Sequence, residues 1–299
     1  MFGLLLTFVL LVCFGLGYWW SVPNRVAGRF PVAPESNSLT PDTELALVLG
    51  PGGSRGAAHI GALKALREAK LQPGLVLGVS AGSIAACAYS LGLPLDDLRQ
   101  LSIDTSTAAI TWPSFSIRAP FSQTNLRRYL TRVFGEAKLE QLPIKCVIVA
   151  TDLISGEPLY LTSGPVVDAC LASCAIPGTF QAKELGGRYY IDGGISDPLP
   201  VRKARSLGAK QVIVLDLGVL GPDFPARKSF IHTLGKALNV SIEKLAAWEA
   251  AEADLVVRPK VSQVDMFDYS QGPFVYQQGY EATRKALEET SLWPGKPNR

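Results

Sequence analysis

Three short stretches carry the residues that could do chemistry. Gly78-Val79-Ser80-Ala81-Gly82 sets one serine between two glycines, with the apolar run LVLGV (75–79) leading in and SAGSIAACAYSLG following. Where a strand gives way to a helix at such a point, the serine sits on a sharp turn with its hydroxyl presented. The flanking glycines make room for the crossing, and the helix start favours negative charge. That is the setting of a nucleophile. The second stretch, GPGGSRG (50–56), follows the apolar run ELALVL and precedes a helical pattern. Free N–H groups in such a loop attract an anion or the developing oxyanion of an acyl transfer. The third is Asp192, which YYI delivers into Gly193-Gly194. Aspartate is a weak base at its free pKa of about 4, but burial beside an apolar site raises it.

Rival readings of the glycine loop fail on spacing. A dinucleotide fingerprint from Gly50 needs glycine at position 55, which is Arg55, and no G-K-[ST] closes a phosphate-binding loop. A serine nucleophile needs a base, and only two histidines are present. His59 falls in the helical pattern after the glycine loop, where packing or capping is its expected work. His232 completes the order Ser80, Asp192, His232 of a hydrolase triad. It lies, however, in the helix-like KSFIHTLGKAL, and Ser80 comes after only one earlier strand. Asp192 and His232 thus stand as alternative bases.

Strand and helix patterns alternate around these residues. Strands are expected at 44–49, 75–79, 145–150, 211–217 and 253–259, and helices at 55–69, from Ser80 onward, at 123–134 and at 275–289. Uninterrupted apolar strands such as KCVIVA are those of a parallel or mixed sheet with helices on both faces. With 47% hydrophobic and 18% charged residues the chain is globular, and the net charge of +3 comes from scattered Lys and Arg, which points to no nucleic acid partner.

Residues 2–20 form an uncharged apolar run ending in Trp19-Trp20. As a helix it would be about 28 Å long, close to the hydrocarbon core of a bilayer. No basic residue precedes it and no cleavage site follows, so residues 1–20 are expected to be an uncleaved membrane anchor. A cleaved signal peptide, or a buried helix, is the alternative; Cys13 could mimic a lipoprotein cysteine, but Val12 is a poor residue before it. Arg25 and Arg29 behind the run favour a cytoplasmic position for the rest of the chain; cleavage would instead leave it exported or periplasmic. The proline-rich residues 21–43 read as a linker and 44–299 as the catalytic domain. The five cysteines read as buried apolar residues, with no metal-ligand pattern.

Taken together, the stretches resemble the patatin-like phospholipase family, in particular its bacterial branch, from residue 44 to about 287. The oxyanion loop G-G-x-R-G is matched by Gly52-Gly53-Ser54-Arg55-Gly56, the G-x-S-x-G elbow by residues 78–82 and D-G-[GA] by Asp192-Gly193-Gly194. AHIGAL (58–63), ATDLISGEPLYLTSG (150–164) and ASCAIPGTF (172–180) extend the match in order. The resemblance implies a three-layer α/β/α fold with a central, mostly parallel sheet and a Ser80–Asp192 dyad. It also implies an oxyanion hole of Gly52, Gly53 and Ser54 N–H groups, and hydrolysis of lipid acyl esters without metal or cofactor. Arg55 would brace the loop or meet a lipid phosphate. An acyltransferase or thioesterase using the same dyad, or a membrane-tethered lipid-binding protein, is the alternative. One departure is visible: the family often has Asn at the position of Asp197, which bears on loop hydrogen bonding.

Overall fold

The computed structural model describes residues 42–104, 110, 112–113, 119–220 and 230–290. The expected anchor and nearly all of the expected linker lie outside them. Among the described residues no helix is long and apolar enough to cross a membrane.

In chain order the elements are β1 (Asp42–Leu49), α1 (Ala57–Glu68), β2 (Pro73–Val79), α2 (Ala81–Ser90), α3 (Leu95–Asp104), β3 (Trp112–Pro113), β4 (Phe121–Ser122) and α4 (Thr124–Phe134). Then come β5 (Lys145–Asp152), β6 (Pro158–Leu161), α5 (Val166–Ser173), β7 (Lys183–Leu185), β8 (Arg188–Asp192), α6 (Val201–Ser206), β9 (Gln211–Leu215), α7 (Phe230–Ala250), β10 (Leu255–Val257) and α8 (Gly272–Glu289). The main sheet runs β10-β9-β1-β2-β5-β8-β7, with β6 also on β5. Pairing is parallel from β10 to β5 and antiparallel where β6, β7 and β8 join. The sheet is therefore mixed, with a parallel block of five strands, β10-β9-β1-β2-β5, and three antiparallel strands around the end of β5. The antiparallel strands β6 and β7 are half-exposed and short, so they lack the apolar runs that announce β1, β2, β5 and β9.

Alternation along the parallel strands supplies two apolar faces. Ala46, Val48, Leu75, Leu77, Val147, Val212 and Val214 face one way and pack with Ala204 of α6 and with Ala246 and Ala250 of α7. The opposite face is covered by α2 against β2 and α5 against β5, with α8 reaching β10 and packing along α1. Helices on both faces leave the loops at the C-terminal ends of the parallel strands as the open end. That is where ligands bind in such sheets.

Boundaries differ from the sequence expectations in instructive places. The helix expected from residue 55 begins at Ala57, preceded by a 3-10 turn over Gly53–Gly56. The last strand shrinks to three residues; just before it the Asp254 carboxylate accepts the Val212 N–H at 2.6 Å and pairs with Arg205. Cys87, Cys146, Cys170 and Cys174 are buried and unbridged, as read from the sequence. Cys13 lies outside the described residues.

Candidate active site

The register of β5 brings the catalytic candidates together. β2 runs along one edge of β5 as far as Val79, opposite Val149. β6 occupies the other edge at 148–151, so β8 must join the β2 edge where β2 has ended. It arrives antiparallel with Asp192 opposite Ala150, the next place along. Ser80, one residue beyond β2, and Asp192, the last of β8, therefore meet at consecutive places on one edge. Both are buried.

Ser80 is held in a strained turn. Its φ of 53° and ψ of −123° are sparsely populated for a residue with a side chain. The surroundings fix it there: its N–H donates to Ser173 Oγ at 2.8 Å, and its carbonyl accepts the Ser83 N–H at 2.9 Å and the Ser83 hydroxyl at 2.6 Å. Gly78 and Gly82 make the crossing possible. A Cβ on Gly78 would stand 2.6 Å from the Gly82 carbonyl, and one on Gly82 would strike the Leu49 carbonyl.

Asp192 caps the short turn that it enters, accepting the Gly194 N–H on Oδ1 at 2.9 Å. Burial raises its pKa to about 6, against the opposing pull of the neighbouring Ser80 hydroxyl and the Gly194 N–H. Thr151 steadies the same turn: its hydroxyl donates to the Asp192 carbonyl at 2.9 Å and meets Ser196 Oγ at 2.8 Å. Gly193 lies so tight on β5 that a Cβ would collide with the Val149 carbonyl.

The glycine loop is rigid. Arg55 is completely buried, and its guanidinium donates to the carbonyls of Val264 (2.9 Å), Gly218 (2.9 Å), Leu220 (3.4 Å) and Ser262 (3.4 Å). It is the brace of the loop; every nitrogen is occupied, which removes the alternative of a lipid phosphate. His59 is also fully buried. Its Nε2 lies 2.9 Å from the Gly50 carbonyl, and burial lowers its pKa to about 4, so it is a neutral packing residue. Gly53 takes φ +59°, where a Cβ would meet the Met266 carbonyl.

One expected oxyanion donor is corrected. The Ser54 N–H donates to that Met266 carbonyl at 2.8 Å, and the Ser54 hydroxyl to Asp265 O at 2.8 Å. Its amide is not available to an oxyanion. Gly53 and Ala81 both line the cleft at Ser80, whereas Gly52 stands behind it against Leu217. Gly56 fits closely on Ala81, 3.1 Å from its Cβ to a Cβ placed on the glycine. The first N–H groups of a helix have no intrahelical partner, so the Ala81 amide, at the start of α2, is available beside Ser80. The sequence reading passed over it, although the residue after an elbow serine is a known source of such a donor. Ser173 and Thr151 were also missed as supports, though both lie in the blocks that carry the family resemblance.

From Ser80 an apolar cleft runs between α1, α2 and α4, walled by Ile60, Ile84, Leu126, Ile176, Phe180 and Phe267. His232 is the third residue of α7. Asp197 accepts a hydrogen bond from Tyr160 at 2.7 Å, and burial raises its pKa to about 6. Among the described residues no cluster of His, Cys, Asp or Glu could hold a metal.

The chain is 33% identical over 207 residues to an uncharacterized NTE family protein of Mycobacterium tuberculosis, covering 68% of this chain and 57% of that one. It is 33% identical over 188 residues to patatin-like phospholipase domain-containing protein 6 of Homo sapiens, covering 60% of this chain and 14% of that one. It therefore spans less than two thirds of these relatives' own length. Among solved structures the fold is similar to VipD from Legionella pneumophila, with a TM-score of 0.51 at 15% identity, over 83% of this chain and 67% of that one. The Patatin-like phospholipase profile matches residues 47–205, more than half of the sequence and including both Ser80 and Asp192, and on that match the chain belongs to the patatin-like phospholipase family.

Proposed function

We propose that the chain is a serine acyl hydrolase that cleaves carboxylic esters of lipids, phospholipids or lysophospholipids, by a Ser80–Asp192 dyad. The observation that carries the proposal is the meeting of a strained, buried serine with a carboxylate whose pKa is raised to about 6. That value lets Asp192 be ionised at neutral pH and still accept a proton far better than a free aspartate. The apolar cleft beside Ser80 suits an acyl chain.

Ser80 Oγ attacks the ester carbonyl carbon while its proton passes to Asp192. The carbonyl oxygen takes the negative charge and is held by the N–H groups of Gly53 and Ala81, with Gly52 adjacent. A donor of this kind is worth roughly 3 kcal/mol in the transition state. Collapse breaks the ester bond, and the leaving alcohol takes the proton from Asp192. Water then gives a proton to Asp192, attacks the acyl-Ser80 carbonyl and releases the fatty acid, returning the proton to Ser80. Residues 1–20, as an uncleaved anchor with the catalytic domain on the cytoplasmic side, would hold this chemistry beside its substrate. Two signals support the anchor: the uncharged apolar run and the aromatic pair at its end.

Treatment with a fluorophosphonate followed by intact mass and peptide mapping tests the reading. One adduct on Ser80, lost in Ser80→Ala, is the expected result. A folded protein that takes no adduct and hydrolyses none of a panel of phospholipids, lysophospholipids, triacylglycerols and short esters would refute it.

A further inference from the structure

Two exposed apolar features stand at the same end of the sheet as Ser80. The first is the turn after β5. Ile154 is 85% exposed, Leu153 48%, and Tyr189 beside them 48%. The turn is stiff: Asp152 Oδ1 accepts the N–H groups of Ile154 and Ser155, and the Leu153 N–H donates to the Tyr189 carbonyl. Asp152 is itself drawn down into a pair with Arg188, leaving the more exposed Arg188 as the outward charge of that pair. Tyr189 lies three residues up β8 from Asp192, about 10 Å beyond the catalytic level.

The second feature is the start of α7. This helix runs antiparallel to the parallel strands, so it begins at the active-site end. Its lower end is in the core through Ala246 and Ala250. Glu243 accepts the N–H of Val219, four residues past the end of β9, and so marks the top of the sheet. The dozen residues before Glu243 form about 18 Å of helix beyond it. None of the described side chains from 233 to 245 is buried; Leu234 is 49% exposed, and Ala237 and Val240 are exposed with it. Lys244 is the only charged residue among the exposed ones in that stretch.

We propose that these two features are a docking surface for a lipid bilayer, which they meet together so that the cleft at Ser80 opens onto the membrane. The proposal rests on the lipid hydrolase reading above. β5 and β9 are separated by β1 and β2, a span of about 14 Å, so the two patches flank the active-site end rather than forming one socket. A flat apolar layer reaches both at once. Exposed aliphatic residues with a tyrosine, bordered by Arg188, Glu157 and Glu184 at the first feature and by the half-buried Lys236 at the second, make an apolar surface of mixed charge that sinks into the headgroup boundary of a membrane.

The test uses the full chain in a Cys13→Ser background, whose four other cysteines are buried. Ile154→Cys, Leu234→Cys and, as reference, Ser206→Cys at the opposite end of the sheet are labelled with a polarity-sensitive nitrobenzoxadiazole dye. Vesicles of phosphatidylcholine and phosphatidylglycerol are added. The expected result is brighter, blue-shifted emission at 154 and 234 and none at 206. Leu153→Glu with Ile154→Glu, and Leu234→Glu separately, should lower hydrolysis of vesicle phospholipid by about tenfold or more while a soluble short-chain ester is hydrolysed as before. Equal emission at all three sites, or charged variants that keep full vesicle activity, would overturn the surface. So would a signal at 154 and 234 that rises with protein concentration in the absence of vesicles, since that reports self-association. A parent that hydrolyses no soluble ester speaks against the catalytic reading instead, and the dye comparison still decides the docking.

Discussion

Asp192 is buried, and its carboxyl holds its proton up to about pH 6, whereas in the unfolded chain it releases it near 4. Between those values the folded state binds more protons than the unfolded one. This group therefore adds stability as pH falls from 6 to 4 and costs the fold most above 6, on the order of 3 kcal/mol for a shift of this size. Asp192→Asn keeps the shape and an acceptor for the Gly194 N–H but removes that charge. It is expected to leave thermal unfolding at pH 8 no lower than in the parent, while kcat falls by about 100- to 10,000-fold or more. Calorimetry beside a steady-state assay checks both; a marked loss of stability would show that the ionised carboxylate itself stabilises the fold. His232→Ala gives the complementary measurement. With Asp192 as base, activity should stay within a few-fold, and a thousandfold loss in folded protein would restore a triad. What the sequence made legible at this scale was the nucleophile and its turn, because glycines at two before and two after Ser80 have few other uses. The loss of Ser54 as a donor was not legible. It depends on Met266, whose nearness is a product of the fold.

At the scale of elements, the sheet explains why two residues over a hundred positions apart meet. β2 and β8 share one edge of β5, and neither strand's own pattern announces that. Four of the parallel strands, β1, β2, β5 and β9, could be read because burial on both faces leaves an unbroken apolar run; the edge strand β10 was read from its Leu-Val-Val alone. β6 and β7 could not, since edge strands with half-exposed side chains look like loops. The glycine loop shows the same division. Its conformation is written in Gly53, but its rigidity comes from Arg55, which reaches the 218–220 and 262–264 segments. Replacing Arg55 with Met should strand those carbonyls and cost about 2–6 kcal/mol of unfolding free energy, read from urea denaturation. Activity should fall with it as the loop loosens. A variant of parental stability would mean that the loop is held by other contacts.

For the whole molecule, the fold collects its chemistry at one end. Ser80, Asp192 and the glycine loop all lie at the C-terminal ends of the parallel strands, with apolar residues of the β5 turn and α7 around them. Composition and the alternating pattern were enough to expect helices on both faces of the sheet. The exposed length of α7 was beyond them, because it depends on how far a helix outruns the strands it packs on. The N-terminal run is expected to stay attached, so the intact mass of protein extracted from membranes should include residues 1–20. A mature chain starting at residue 21 or later would refute the anchor, and a lipid on Cys13 would replace one tether with another.

The dyad itself is tested most directly by the pH dependence of kcat/KM on a soluble ester, measured for the parent and for Asp192→Asn with circular dichroism as the folding control. The parent should lose activity on acidification through an apparent pKa of about 6, as Asp192 takes up its proton. In the variant the residual rate should be low and should lack that step. A well-folded Asp192→Asn with near-parental activity, or one that retains the same acid limb, would contradict the Ser80–Asp192 mechanism.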